Sequence, residues 1–194
     1  MSLFGIVGWL ACCIYGSIPS FWLVIHPRAE SWRARHRHRR PVYKILVPLW
    51  VGMWVALFAV TYPMRGVLLY RFSYSWVMAI VFFAAGIVLY AKARQGFSPL
   101  QLSGHHELEP ERHRQQLVVT GVRQHVRHPI YLGHLLEMFG WSIGTGLLAC
   151  WVLTSFAIVT GIIMIRMEEQ ELVQRFGDDY RTYQASVPAI LPRL

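Results

Sequence analysis

Apolar residues run almost unbroken through five stretches of the chain: about Leu3 to Ile25, Ile45 to Met64, Ser73 to Ala93, Ile130 to Thr145 and Leu147 to Ile165. About twenty such residues carry a helix across the hydrocarbon core of a bilayer. Lipid offers the backbone no hydrogen-bond partner, so each stretch must be helical. The pattern therefore predicts an all-α, polytopic integral membrane protein with about five transmembrane helices. The fourth and fifth form a tight hairpin turned at Gly144-Thr145-Gly146, and both are short enough to be tilted or to span incompletely. Past them, Leu172, Phe176, Tyr180 and Tyr183 recur at helical spacing with Val173 beside them. That spacing predicts a C-terminal amphipathic helix from Met167 to Gln184, lying at the membrane interface and ending before Pro188 and Pro192.

Composition agrees with this picture. Of 194 residues, 55% are hydrophobic and only 15% charged, against about a quarter charged in an ordinary soluble domain. The basic residues then orient the helices. Seven lie between the first two spans, two in the next loop, six from Lys92 through Arg127, none at the Gly144 turn and four in the tail. Cytoplasmic loops carry the excess of Lys and Arg, which predicts an external N-terminus and a cytoplasmic C-terminus. The first span lacks a preceding basic region and reads as a permanent anchor rather than a signal peptide. The net charge of +9 thus reflects topology and attraction to anionic headgroups. No nucleic acid partner is expected, despite the run Trp32-Arg-Ala-Arg-His-Arg-His-Arg-Arg40. Cys12, Cys13 and Cys150 have neither metal nor disulfide spacing and read as packing residues. His105, His106 and His113, near Glu107 and Glu111, read as a solvated loop around Pro110, so no metal site is expected.

Two polar clusters remain, and both sit where the chain meets lipid. Arg127, His128, Pro129 and Tyr131 open the fourth span, and Arg166, Glu168 and Glu169 follow the fifth. The hairpin returns the two clusters to the same membrane face, which predicts one pocket. Pro129 suits a first helical turn, Gly121 suits a turn before it, and the N–H groups of a helix start suit an anionic group. A plainer reading makes Glu168 and Glu169 interfacial charges, with Arg166 paired to Glu169 at i+3, and His128 a headgroup-level residue. Tyr70, Tyr74, Trp76, Trp141 and Trp151 read as interfacial anchors. Glu137 is an intramembrane carboxylate one turn beyond His134. It is either a structural group satisfied by a neighbour or a catalytic group facing a substrate.

Leu117-Val-Val-Thr-Gly121, Val126-Arg-His-Pro-Ile-Tyr131, Glu168-Glu169, Phe176-Gly-Asp-Asp-Tyr180, Tyr183 and Val187-Pro-Ala-Ile-Leu-Pro192 together resemble the isoprenylcysteine carboxyl methyltransferase family. Its wider group includes membrane phospholipid N-methyltransferases. The resemblance covers about Gln95 to the C-terminus. It implies an enzyme that takes S-adenosylmethionine as methyl donor, leaves S-adenosylhomocysteine as product, and methylates a lipophilic or amphiphilic acceptor arriving from the bilayer. It divides the chain into three N-terminal transmembrane helices (1–94) and a methyltransferase core (95–194) of cytoplasmic loop, helical hairpin and C-terminal helix. Carried over, Arg127, His128, Pro129, Tyr131 and Gly133 line the cofactor site, with Leu117, Val118 and Gly121 before them and Glu168 and Glu169 across from them. Tyr131 and Glu137 are the candidate catalytic groups, although the family motif gives Glu137 no role. Two departures bear on the acceptor: Arg123 stands where the family commonly has an aromatic residue, and Gly104 to Gln116 resembles an insertion. Methyl transfer from a sulfonium needs the donor and acceptor held in line and dry, with a base only for a protonated acceptor. The acceptor remains open among prenylcysteine, phospholipid amine, small amine, thiol and carboxylate. A membrane NADPH-dependent reductase and a non-enzymatic transporter are the rival readings.

Overall fold

The computed structural model describes residues 2–28, 31, 43–94 and 117–191. The basic stretch between the first two spans, the His-rich segment 104–116 and the metal-site candidates within it lie almost wholly outside these residues. Among the described residues the regular structure is all helical, apart from one isolated bridge between Leu68 and Leu147. The helices are α1 (Leu3–Ile25), α2 (Tyr43–Thr61), α3 (Ser75–Arg94), α4 (Pro129–Thr145), α5 (Leu148–Phe176) and α6 (Asp178–Ser186). Short 3-10 turns follow α1 and α2, and another begins at Gly121.

Among the described residues, four helices are long and apolar enough to cross a membrane: Leu3–Ile25, Lys44–Met64, Ser75–Arg94 and Leu148–Phe176. α4 has 17 residues, or about 25 Å at 1.5 Å per residue, and is the shortest of the apolar helices. Between their charged ends the exposed side chains of α2 and α3 are largely apolar, among them Val47, Val55, Val60, Val77, Ile80, Val81 and Ile87. That is the surface expected of helices whose solvent is lipid.

Small residues set the packing, because helices in lipid associate through close van der Waals contact rather than through a hydrophobic drive. α3 and α4 meet at Gly86 and Gly133. A Cβ on Gly86 would sit 2.9 Å from the Gly133 carbonyl oxygen and 2.9 Å from Glu137 Cγ. Further along the same interface, the Phe83 ring covers Gly140 and the Trp76 ring covers Gly144. α1 packs on α5 through Cys12, Cys13, Cys150, Leu153 and Ala157, all buried, so the cysteines are core residues as expected. Trp9 donates its indole N–H to Thr61 Oγ1 at 2.9 Å, tying α1 to the end of α2. Ser142 and Thr154 share a buried hydrogen bond of 2.9 Å across the α4–α5 hairpin.

The hairpin turns at Gly146, whose φ of +65° caps α4 in the left-handed region, where glycine carries no Cβ penalty. The loop between α2 and α3 closes over this turn. Leu69 N–H donates to Gly146 O and Leu148 N–H to Val67 O, each at 2.9 Å. The Tyr70 hydroxyl lies 3.2 Å from both the Ser142 and Ile143 carbonyls.

At the other face the segment expected as one helix from Met167 to Gln184 is divided differently. α5 runs without interruption past Ile165 and through Glu168 and Glu169 to Phe176. The break comes at Gly177, with φ +60° and ψ −130°, a conformation that only glycine adopts freely. α6 then folds back so that Tyr180, Tyr183 and Val187 pack with Leu117, Leu172, Val173 and Phe176.

Candidate active site

Three pieces of backbone meet at the start of α4. Pro129 occupies the first turn of that helix, where its missing N–H costs nothing. Arg127 and His128 precede it in a non-helical stretch, and their own N–H groups donate to Pro188 O and Ala189 O at 2.9 and 3.0 Å. The chain after α6 is thereby laid against the entrance to α4. The third piece is the end of α5 beyond its apolar stretch, which brings Glu168 and Glu169 to the same level.

The side chains form an ion cluster. Arg127 reaches Glu169 Oε1 through Nε at 2.7 Å and Nη2 at 2.6 Å. Its Nη1 donates to Gln184 O at 2.9 Å and also to Val187 O. His128 stands between the two glutamates, with Nε2 3.1 Å from Glu169 Oε1 and Nδ1 3.4 Å from Glu168 Oε2. Gln184 completes the ring by donating Nε2–H to Glu169 Oε2 at 2.8 Å. Glu169 does not pair with Arg166, which is exposed.

Burial sets the charges here. For His128 burial alone would favour the neutral ring, but hydrogen bonds and charge from Glu168 and Glu169 outweigh it and push the pKa up to about 9. For Glu169 burial opposes ionisation, and His128 and Arg127 together overcome it, holding the carboxyl at about 2. The cluster therefore holds two cations and two anions at neutral pH, and such mutual pairing is what makes burial of charge tolerable.

The other expected residues fall in two groups. Gly121 has φ +64° and opens the 3-10 turn leading to Arg127. Leu117 packs on the Tyr180–Tyr183–Val187 cluster, and Val118 is half-buried beside it. Tyr131, Gly133 and Glu137 face elsewhere. Tyr131 donates its hydroxyl to the Ala157 carbonyl of α5 at 2.6 Å, over Gly161. Gly133 lies against Gly86 and Tyr90 of α3. Glu137 sits deeper on the same side, against Gly86 and the Tyr15 phenol of α1. The neighbouring His134 stacks on Tyr15 with ring centroids 5.2 Å apart and lies 5.7 Å from Tyr90. The sequence thus groups residues that the fold separates into an ionic level at the membrane face and an aromatic, acidic level inside the bundle.

Sequence reasoning missed Gln184, whose side chain and carbonyl both join the cluster, and the carbonyls of Val187, Pro188 and Ala189. It also missed the tie in which the Tyr183 hydroxyl donates to Arg123 O at 2.6 Å, while Arg123 donates to Ala93 O at 2.8 Å. The spacing of Tyr180 and Tyr183 carries a signal for a packed face. Gln184 carries none.

A helical membrane bundle with a paired Arg-His/Glu-Glu cluster where two helices leave the apolar layer defines the class. The phospholipid methyltransferase family model matches residues 74–179, more than half of the chain and all four charged members of the cluster. The chain belongs to that family. It is similar to methanethiol S-methyltransferase 1 of Bradyrhizobium diazoefficiens, 38% identical over 68 residues, which cover 34% of this chain and 23% of the relative. It is also similar to human protein-S-isoprenylcysteine O-methyltransferase, 40% identical over 81 residues, covering 39% and 27%. The corresponding Schizosaccharomyces pombe protein is 38% identical over 93 residues, covering 45% and 38%. The matched regions thus span well under half the length of each of these relatives. No solved structure matches the chain significantly.

Proposed function

We propose that the chain is an S-adenosylmethionine-dependent membrane methyltransferase that acts on a lipophilic or amphiphilic acceptor reached through the bilayer. The observation that carries this reading is the ion cluster at the start of α4, built from the part of the chain that the family model matches. Its donor set suits a zwitterionic, hydroxyl-bearing methyl donor: carboxylates accept from ribose hydroxyls or an ammonium, and His128 and the α4 helix start favour a carboxylate. The bound donor would supply an electrophilic methyl group on a sulfonium. The residues orient the partners, and the packed helices behind them exclude water.

Glu137 belongs, in this reading, to the acceptor side. It lies eight residues into α4 from Pro129, on the order of 12 Å deeper at 1.5 Å per residue, beside Tyr15 and His134. It would accept a proton from an amine or thiol acceptor. The membrane arrangement that goes with this function has five spans, α4 included, an external N-terminus and a cytoplasmic ion cluster. The amphipathic C-terminal part then lies at the cytoplasmic interface. The distribution of Lys and Arg supports that orientation. The relatives' names favour methyl transfer over nicotinamide-dependent reduction or transport.

Calorimetry on detergent-purified protein tests the reading. S-Adenosylhomocysteine should bind and NADPH should not. Binding of NADPH without S-adenosylhomocysteine would reverse the assignment. An impermeant thiol reagent tests the topology, because cysteines introduced at Ser103 and Ser186 should label only after permeabilisation.

A further inference from the structure

The two adjacent glutamates differ in what they have left to offer. Glu169 is saturated. Its Oε1 accepts from Arg127 Nε, lies in ion-pair contact with Nη2 and faces His128 Nε2, and its Oε2 accepts from Gln184 Nε2. The side chain is 11% exposed. Glu168 is 31% exposed and meets His128 through a single oxygen at 3.4 Å. Its other oxygen accepts no hydrogen bond from the described residues. Arg127 is saturated in the same way. Beyond the carboxylate, its guanidinium holds the carbonyls of Gln184 and Val187, and its backbone N–H holds Pro188.

We propose that the pair divides the work: Glu168 meets the methyl donor, while Glu169, Arg127 and Gln184 form a latch that fastens residues 184–189 across the start of α4. This rests on the methyl-donor reading and deepens it by splitting roles that the sequence assigns jointly. A ligand group reaching Glu169 would have to displace charge-assisted bonds from two cations, and leaving buried charges unpaired is costly. A group reaching Glu168 displaces one long contact at most. His128 links the two halves, because the same imidazolium faces the latch through Nε2 and the ligand-facing carboxylate through Nδ1. Glu169, Arg127 and Gln184 are positioning residues: they set the place of His128 and of the C-terminal segment.

Calorimetry with S-adenosylhomocysteine and hydrogen exchange of the C-terminal segment, both on the full-length protein in detergent, separate the two roles. Glu168→Gln should weaken binding by roughly ten- to a hundredfold, the loss of one charge-assisted hydrogen bond. It should leave the exchange of residues 187–191 unchanged. Glu169→Gln should speed that exchange and lower the melting temperature, and the milder Gln184→Ala should speed the exchange while the bundle stays folded. Wild-type affinity in Glu168→Gln overturns the ligand half. Unchanged exchange in both Glu169→Gln and Gln184→Ala overturns the latch. If the wild-type protein binds no S-adenosylhomocysteine, the donor reading fails together with the ligand half, and exchange still decides the latch.

Discussion

Raising the pH from about 6.5 to about 9.5 should loosen the end of the bundle that carries the ion cluster, and His128 defines that window. Its folded-state pKa, about 9, lies above the ordinary value of 6.5 because two carboxylates outweigh the effect of burial. A raised folded-state pKa stabilises fully below the ordinary value, and the contribution disappears as the pH climbs through the raised one. At about 1.4 kcal/mol per unit, the displacement bounds this contribution at roughly 3 kcal/mol. For a chain of this length that corresponds to a fall of up to about 10 °C in melting temperature. The groups facing the ring are Glu168 and Glu169 on α5 and Arg127 beside it. Glu169, held near 2, stays ionised throughout. His26 pairs with Glu171 at 2.9 Å nearby, so the comparison must isolate one histidine. Melting curves in nanodiscs for wild type and His128→Gln do so, since glutamine keeps a donor but cannot titrate. The wild-type advantage should be largest at about pH 6.5 and vanish by about pH 9.5. Parallel curves for the two proteins across the window would refute the imidazolium argument.

Other substitutions probe the bundle and Glu137. Gly86→Val should lower stability by about 1–3 kcal/mol, because its Cβ would press on the Gly133 carbonyl and no side-chain movement relieves that contact; thermal melting reads it. Tyr131→Phe removes the bond to Ala157 O and should cost about 0.5–1.5 kcal/mol. Loss of turnover per folded molecule beyond that would mark the hydroxyl as catalytic. Glu137→Gln should leave S-adenosylhomocysteine affinity within about twofold while lowering turnover, most for amine or thiol acceptors. A lowered melting temperature with unchanged turnover would make Glu137 structural.

The spans were legible because hydropathy is nearly uniform along them, so the first and third helices begin and end within two residues of the expected limits. The turn at Gly146 was legible for a different reason: only glycine tolerates the backbone the hairpin needs. The limit of α5 was not. A change from an apolar run to an amphipathic one looks like a boundary between elements, but the backbone hydrogen-bond ladder is indifferent to it. The helix continues until Gly177 breaks it. The convergence of Arg127 and His128 with Glu169 followed from topology alone. The partners that saturate it did not, because three of them are backbone carbonyls, which carry no residue identity. The fourth is a glutamine beyond a kink.

The convergence itself follows from helix length, which makes it testable by changing a length. Both arms of the hairpin leave Gly146 and rise 1.5 Å per residue. Arg127 and Glu169 lie at similar chain distances from that turn, on opposite arms, so the cluster forms wherever the two arms reach the same height. Their rotational register matters as much, since each residue turns the helix by about 100°. One alanine inserted after Val159, an exposed position on α5, would therefore swing Glu168 and Glu169 away from His128 while shifting them by only about 1.5 Å. S-Adenosylhomocysteine binding and the pH dependence set by His128 should both disappear. The same insertion after Gly66, where a Cβ would meet nothing within 4 Å, should disturb neither. If the insertion after Val159 leaves binding intact, the ion cluster does not form the donor site, and the part of the chain that binds must be sought away from the end of α5.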